Sequence, residues 1–186
     1  MPLAPLRHRA PCLAVLCAGL AADPVQADPP DSGFARFDDL NAGFNRQAVH
    51  LPDTADQWAT PAELAARGAG DCEDFAIAKY FALVRAGVPA ARLRIVYGRL
   101  QVGAGDVWKP HMALVLLPEE GEPIGTAAVL DSVLDEVRPL SRRPDLQIRL
   151  SFNEAGLWAG LDRGPAAREA RRLRPWARVL QQAALD

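Results

Sequence analysis

Phe34, Phe37, Leu40 and Phe44 recur at roughly helical spacing, which predicts a helix over residues 34–49 with Gly43 as its weak point. The polar stretch LPDTADQW, residues 51–58, reads as loop. TPAE, residues 60–63, announces a second, short helix that ends near Gly68. Thr60 can cap it, Pro61 suits its first position, and Glu63 completes a capping box. The strongest helical signal runs from Asp71 to Ala86, stopped by Gly87 and Pro89. Phe75, Ile77, Tyr80, Phe81, Leu83 and Val84 point in nearly all directions around it, so it is expected to be buried on most sides.

The pattern then changes period. LRIVYGRLQV (93–102) and HMALVLLP (111–118) are apolar or alternating runs joined by a Gly-rich loop, and read as an antiparallel pair. TAAVLDSV (126–133) and LQIRLSF (146–152) are further strand candidates, and residues 165–184 read as helical with an interruption at Pro175. No internal repeat or second domain is evident. Helices followed by strands predict an α+β domain.

A formal net charge of −2 over 186 residues gives no electrostatic case for nucleic acid. Lys79 and Lys109 are the only lysines. The N-terminus differs from the rest. Arg7, His8 and Arg9 precede the apolar stretch PCLAVLCAGLAA and then VQA, the pattern of a secretory signal. The expectation is a signal peptide over residues 1–27 and a mature domain over 28–186. Leu16 is large where a lipoprotein signal wants a small residue before the cysteine, so Cys17 is not read as a lipid anchor. Cleavage after Ala27 would remove Cys12 and Cys17 and leave Cys72 as the only thiol. In an oxidising compartment a lone thiol is a liability unless it is buried or used.

Cys72 is expected to open the central helix, where the partial positive charge of the helix end favours a thiolate. The acids beside it oppose that effect, so position alone leaves nucleophile and core residue both open. A cysteine nucleophile needs a base. The mature chain offers His50, in a polar loop, and His111, at a strand start. Asp131 ends the apolar run AAVLD at another strand end and could orient the imidazole of His111. A zinc site is a poor fit to one Cys and two scattered His. Asp71, Glu73 and Asp74 could hold calcium, or could cap and complement the helix dipole.

WATPAEL, GDCEDFAIAKYFAL, GVPAARLRIVY, HMALVL, VLDS and SRRPDLQIRLSFNEAGLW resemble, in that order, the bacterial transglutaminase-like cysteine proteinases, whose best-understood members are the LapG-type periplasmic proteases. The match runs from about Phe37 to Trp176. It implies a papain-like, transglutaminase-core fold, with the nucleophile at the start of a central buried helix packed on an antiparallel sheet. It implies a triad of Cys72, His111 and Asp131, and calcium binding by Asp71, Glu73 and Asp74. LapG-type proteases clip a large surface adhesin near its N-terminus and are sequestered by the periplasmic domain of an inner-membrane cyclic-di-GMP receptor. A protein substrate and such a receptor are therefore the partners to expect, with a homodimer left open. The family usually has Asn after the triad Asp, where this chain has Ser132. The same triad would serve an acyl transferase, and a calcium-dependent binding module with a vestigial triad is the non-enzymatic alternative. Trp158 belongs to the matching segment without an assignable role.

Overall fold

Thr60 and Glu63 form the capping box that the sequence predicts: Thr60 Oγ1 accepts from the Glu63 N–H at 3.2 Å, and Glu63 Oε2 accepts from the Thr60 N–H at 2.8 Å. The helix they start is one of four in a computed structural model of the chain, which describes residues 34–51 and 57–183. The expected signal peptide, with Cys12 and Cys17, lies outside the described residues, as does most of the predicted 51–58 loop.

In chain order the elements are α1 (Ala35–Gln47), β1 (Val49–His50), α2 (Pro61–Arg67), β2 (Ala69–Gly70), α3 (Cys72–Arg85), β3 (Leu93–Gln101), β4 (Trp108–Leu116), β5 (Ala128–Leu130), β6 (Arg138–Pro139), β7 (Leu146–Phe152), β8 (Leu157–Ala159) and α4 (Arg174–Ala183). Among the described residues six strands form one antiparallel sheet, in the order β6-β5-β4-β3-β7-β8. β1 and β2 form a separate two-residue parallel pair.

α3 packs against β4 and β3, with α1 and α2 on its flanks. Ile77, Tyr80 and Leu83 of α3 meet Ile95, Leu114, Leu130 and Phe152 of the sheet, and Phe37 and Trp176 close the same core. A second apolar cluster, with Val96, Val115 and Val129, covers the other face of the sheet. Both faces of β3 over residues 93–96 and of β4 over residues 111–116 are therefore buried, which is why MALVL reads as a continuous apolar run.

The α+β expectation holds. Three boundaries move. β4 begins at Trp108 rather than His111, because residues 108–110 stay paired with the end of β3. The run predicted over 126–133 keeps only Ala128–Leu130 as strand. After it the chain turns toward α1, where Asn45 Nδ2 donates to the carbonyl oxygens of Asp131 and Leu134. Pro175 does not interrupt a helix: it is the second residue of α4, in the first turn, where a missing N–H costs nothing. The short strands β6 and β8 and the β1–β2 pair were not predicted.

Candidate active site

β2 delivers the chain directly to the N-terminus of α3. A Cβ at Gly70 would lie 2.6 Å from Asp74 Oδ2 and 2.7 Å from Leu64 Cδ1, so only glycine lets the strand press onto the first turn of the helix. Asp74 returns from that turn, its Oδ2 accepting from the Asp71 N–H at 3.3 Å and its Oδ1 from the Ala59 N–H at 2.6 Å. The start of α3 is thus fixed on both sides of Cys72.

Cys72 is partly buried, and its thiol donates to Glu73 Oε2 at 3.2 Å. Burial, reinforced by the Glu73 carboxylate, pushes the thiol well above its ordinary range. The Met112 N–H opposes this by hydrogen-bonding to the sulfur. That contact also places the sulfur against the β4 residue next to His111.

His111 is 5% exposed and Asp131 fully buried. His111 Nε2 lies 2.8 Å from Asp131 Oδ1, which leaves Nδ1 as the free ring nitrogen. A neutral ring with its proton on Nε2 donates to Asp131 and keeps Nδ1 as an acceptor. Burial works against the ionised carboxyl, but His111 and Arg143 outweigh it and hold Asp131 down at about 2. Arg143 Nη2 donates to the second oxygen, Oδ2, at 2.8 Å. Ser132, next to Asp131, buries its hydroxyl with no hydrogen-bond partner among the described residues.

The backbone around Asp131 is tied to α3 as well. Lys79 is fully buried and donates to Asn41 Oδ1 and Asn45 Oδ1, both at 2.7 Å. The two amides pass the connection on: Asn41 Nδ2 donates to the Leu134 and Asp135 carbonyls, and Asn45 Nδ2 to that of Asp131 at 3.0 Å. Burial lowers Lys79 to about 7, with Asp131 and Asp135 acting the other way.

Cys72 and His111 open on one cleft of about 930 Å³. Its walls include Trp58, Tyr97, Leu100, Met112, Val133 and Phe152, a largely apolar lining in which Asp71, Glu73 and Lys109 are the charged members. His50 also lines this cleft. It sits in β1 rather than in a loop, exposed and stacked on Phe75 at 5.9 Å.

The three acids expected to bind calcium divide. Asp71 and Glu73 line the cleft, whereas Asp74 is buried under Ala59 as a helix cap. Burial raises Glu73 to about 8, and the Asp71 carboxyl hydrogen-bonded to it adds to the rise. Two carboxyl groups forced together beside a cleft fit a hard divalent cation, which would relieve their repulsion. Among the described residues no three ligating side chains converge, so such an ion would complete its shell with carbonyls and water.

Sequence reasoning selected Cys72, His111 and Asp131; the fold pairs His111 with Asp131 and opens His111 and Cys72 on one cleft. It missed Arg143, Asn45 and Lys79, and it saw Trp158 without a role. Trp158 packs its ring under the Arg94 guanidinium at 3.6 Å, away from the cleft lining.

A family model described as bacterial transglutaminase-like cysteine proteinase BTLCP matches residues 3–164. Solved structures of Legionella pneumophila LapG share the fold. The calcium-bound form is 34% identical with a TM-score of 0.67, over 80% of this chain and 78% of its own. The EGTA-treated form is 32% identical with a TM-score of 0.67, over 79% and 77%. No curated protein sequence matches the chain.

Proposed function

The chain belongs to the bacterial transglutaminase-like cysteine proteinases, and on that premise we propose that it is a periplasmic, calcium-dependent cysteine endopeptidase. Its substrate on this reading is a large cell-surface adhesin, cut near the N-terminus to control biofilm attachment. A periplasmic receptor domain governed by cyclic-di-GMP is the regulatory partner. The observation that carries the catalytic part is the buried 2.8 Å contact between His111 Nε2 and Asp131 Oδ1, in the same cleft as the one described cysteine.

In the mechanism, Cys72 Sγ attacks the scissile carbonyl carbon while His111 Nδ1 takes the thiol proton. The tetrahedral oxyanion collapses to a thioester, and His111 gives its proton to the departing amine. Water, deprotonated by His111, then attacks the thioester, releasing the new carboxyl terminus and restoring the thiol. Asp131 holds the imidazole in the required tautomer and balances the imidazolium charge. The Cys72 N–H, at the start of α3, can donate to the oxyanion. Asp71 and Glu73 would hold calcium, which would supply positive charge beside the sulfur and offset the two carboxylates.

The test is to incubate the protein, with calcium, with the N-terminal region of a large adhesin from the same organism. Mass spectrometry should find two fragments from hydrolysis of one peptide bond. Isopeptide-linked products with an added amine, and no hydrolysis, would turn the reading to acyl transfer.

A further inference from the structure

Asp131 presents two oxygens, and they have different tasks. Oδ1 accepts from the Val133 N–H at 3.2 Å and faces His111 Nε2. Oδ2 meets Arg143, whose side chain is 1% exposed. The same guanidinium grips Asp145, through Nε to Oδ1 at 3.0 Å and Nη2 to Oδ2 at 2.9 Å. The turn that carries Arg143 is itself fixed. Its N–H donates to the Leu140 carbonyl, and its own carbonyl accepts from the Leu146 N–H, both at 3.0 Å.

A carboxylate held at one oxygen keeps a broad torsion about its last bond, and either oxygen can turn to its partner. A guanidinium on the second oxygen removes that freedom, and its planar fork does so in a way an ammonium cannot. The arginine charge alone would draw Asp131 away from an imidazolium. Asp145, partly exposed on the far side, balances it, so the charges alternate from Asp145 through Arg143 and Asp131 to His111.

We propose that Arg143 is a positioning residue for the Cys72–His111–Asp131 triad: it fixes which oxygen of Asp131 faces His111, while Asp145 neutralises it. This rests on the catalytic reading of the triad. The competing account is that Arg143 and Asp145 only secure the turn before β7, which would affect stability and not the histidine.

The experiment uses the full chain in calcium-containing buffer at neutral pH, with Arg143→Met, Arg143→Lys, Asp145→Asn and His111→Ala. Three quantities are read: the rate at which iodoacetamide alkylates Cys72, located by mass spectrometry; the downfield proton resonance of His111 Nε2–H; and the melting temperature. Arg143→Met should slow alkylation by about tenfold or more and lose or shift the resonance, Arg143→Lys should recover only a small part of the rate, and Asp145→Asn should slow it about threefold while still folding. A cooperatively melting Arg143→Met with alkylation within about twofold of wild type and an unmoved resonance would overturn the proposal. If Arg143→Met does not fold, Asp145→Asn decides: wild-type rate and resonance in that variant overturn it equally. His111→Ala separates the two levels. Should it alkylate as fast as wild type, the assignment of His111 as base fails, and the resonance alone then judges the placement of Asp131 by Arg143.

Discussion

Gly98 stands directly opposite His111 in the β3–β4 ladder, and a Cβ there would lie 1.9 Å from the Gln147 carbonyl oxygen. The β3–β7 register shifts at this point, between Tyr97 and Gly98, so β7 crowds the backbone just behind the strand that carries His111. Gly98→Ala must therefore displace one strand or the other. We expect a loss of about 1–3 kcal/mol in urea unfolding, with a fall in cleavage rate larger than that of an alanine placed elsewhere in β3. Unchanged stability and rate would mean that the bulge absorbs the extra carbon.

Asp131 gives a prediction with a sign in pH. Its folded-state pKa of about 2 lies below the ordinary carboxylate value of 3.8. Its ionised form therefore adds stability above about pH 4, and that contribution is lost as pH falls through about 2. Asp131→Asn should flatten this acid limb of the melting profile. Arg143 keeps Asp145 as a partner in that variant, so the stability loss should stay below the roughly 3–5 kcal/mol of a broken buried pair, while losing the charge behind His111 should slow cleavage by about 10³–10⁴-fold.

Lys79 acts with the same sign in a higher pH range. Its pKa is lowered from 10.5 to about 7, chiefly by burial. Between about pH 7 and 10 the unfolded chain binds a proton that the folded chain does not, so this residue makes stability rise with pH. Lys79→Met should remove that rise. It also leaves the Asn41 and Asn45 side-chain oxygens without the ammonium, and residues 131–135 should then exchange their amide hydrogens faster. Hydrogen-exchange mass spectrometry reads this directly, and unchanged protection of the segment would show that the lysine does not hold it.

The acids around Cys72 should separate by role. Asp71→Asn and Glu73→Gln should weaken calcium binding in calorimetry. Asp74→Ala should instead lower stability by about 1–2 kcal/mol through loss of the cap at the start of α3. A chelator should suppress cleavage reversibly. Magnesium should restore it poorly, because magnesium keeps its waters and demands a tighter octahedral shell. Equal loss of calcium affinity in all three variants would return Asp74 to the ligand set.

The helices were legible because their signals are local. The Thr60–Glu63 box, the acids at the start of α3 and Gly87 after it all act within a few residues. His111 and Asp131 were found because an ionisable residue beside an apolar strand is conspicuous. Arg143, Asn45 and Lys79 escaped notice because their meaning lies in contacts across long stretches of chain. Asn45 reaches Asp131 over 86 residues, and nothing near either one in sequence announces it. The two- and three-residue strands were hidden for a related reason: β6 and β8 exist only because a neighbour offers a ladder. The grouping of the acids also carries a second task that spacing alone does not separate: Asp71 and Asp74 form the capping box of α3, while Asp71 and Glu73 line the cleft.

The most direct test of the account is cleavage by the Cys72→Ala variant. Alanine suits the first turn of α3, and Cys72 forms no disulfide, so the variant should fold and melt like the wild type. Wild-type protein with calcium should cut the adhesin N-terminal region at one bond, and folded Cys72→Ala should leave it intact under the same conditions. Cleavage at the same bond by folded Cys72→Ala would contradict the central claim, because no other described residue of this chain is a thiol.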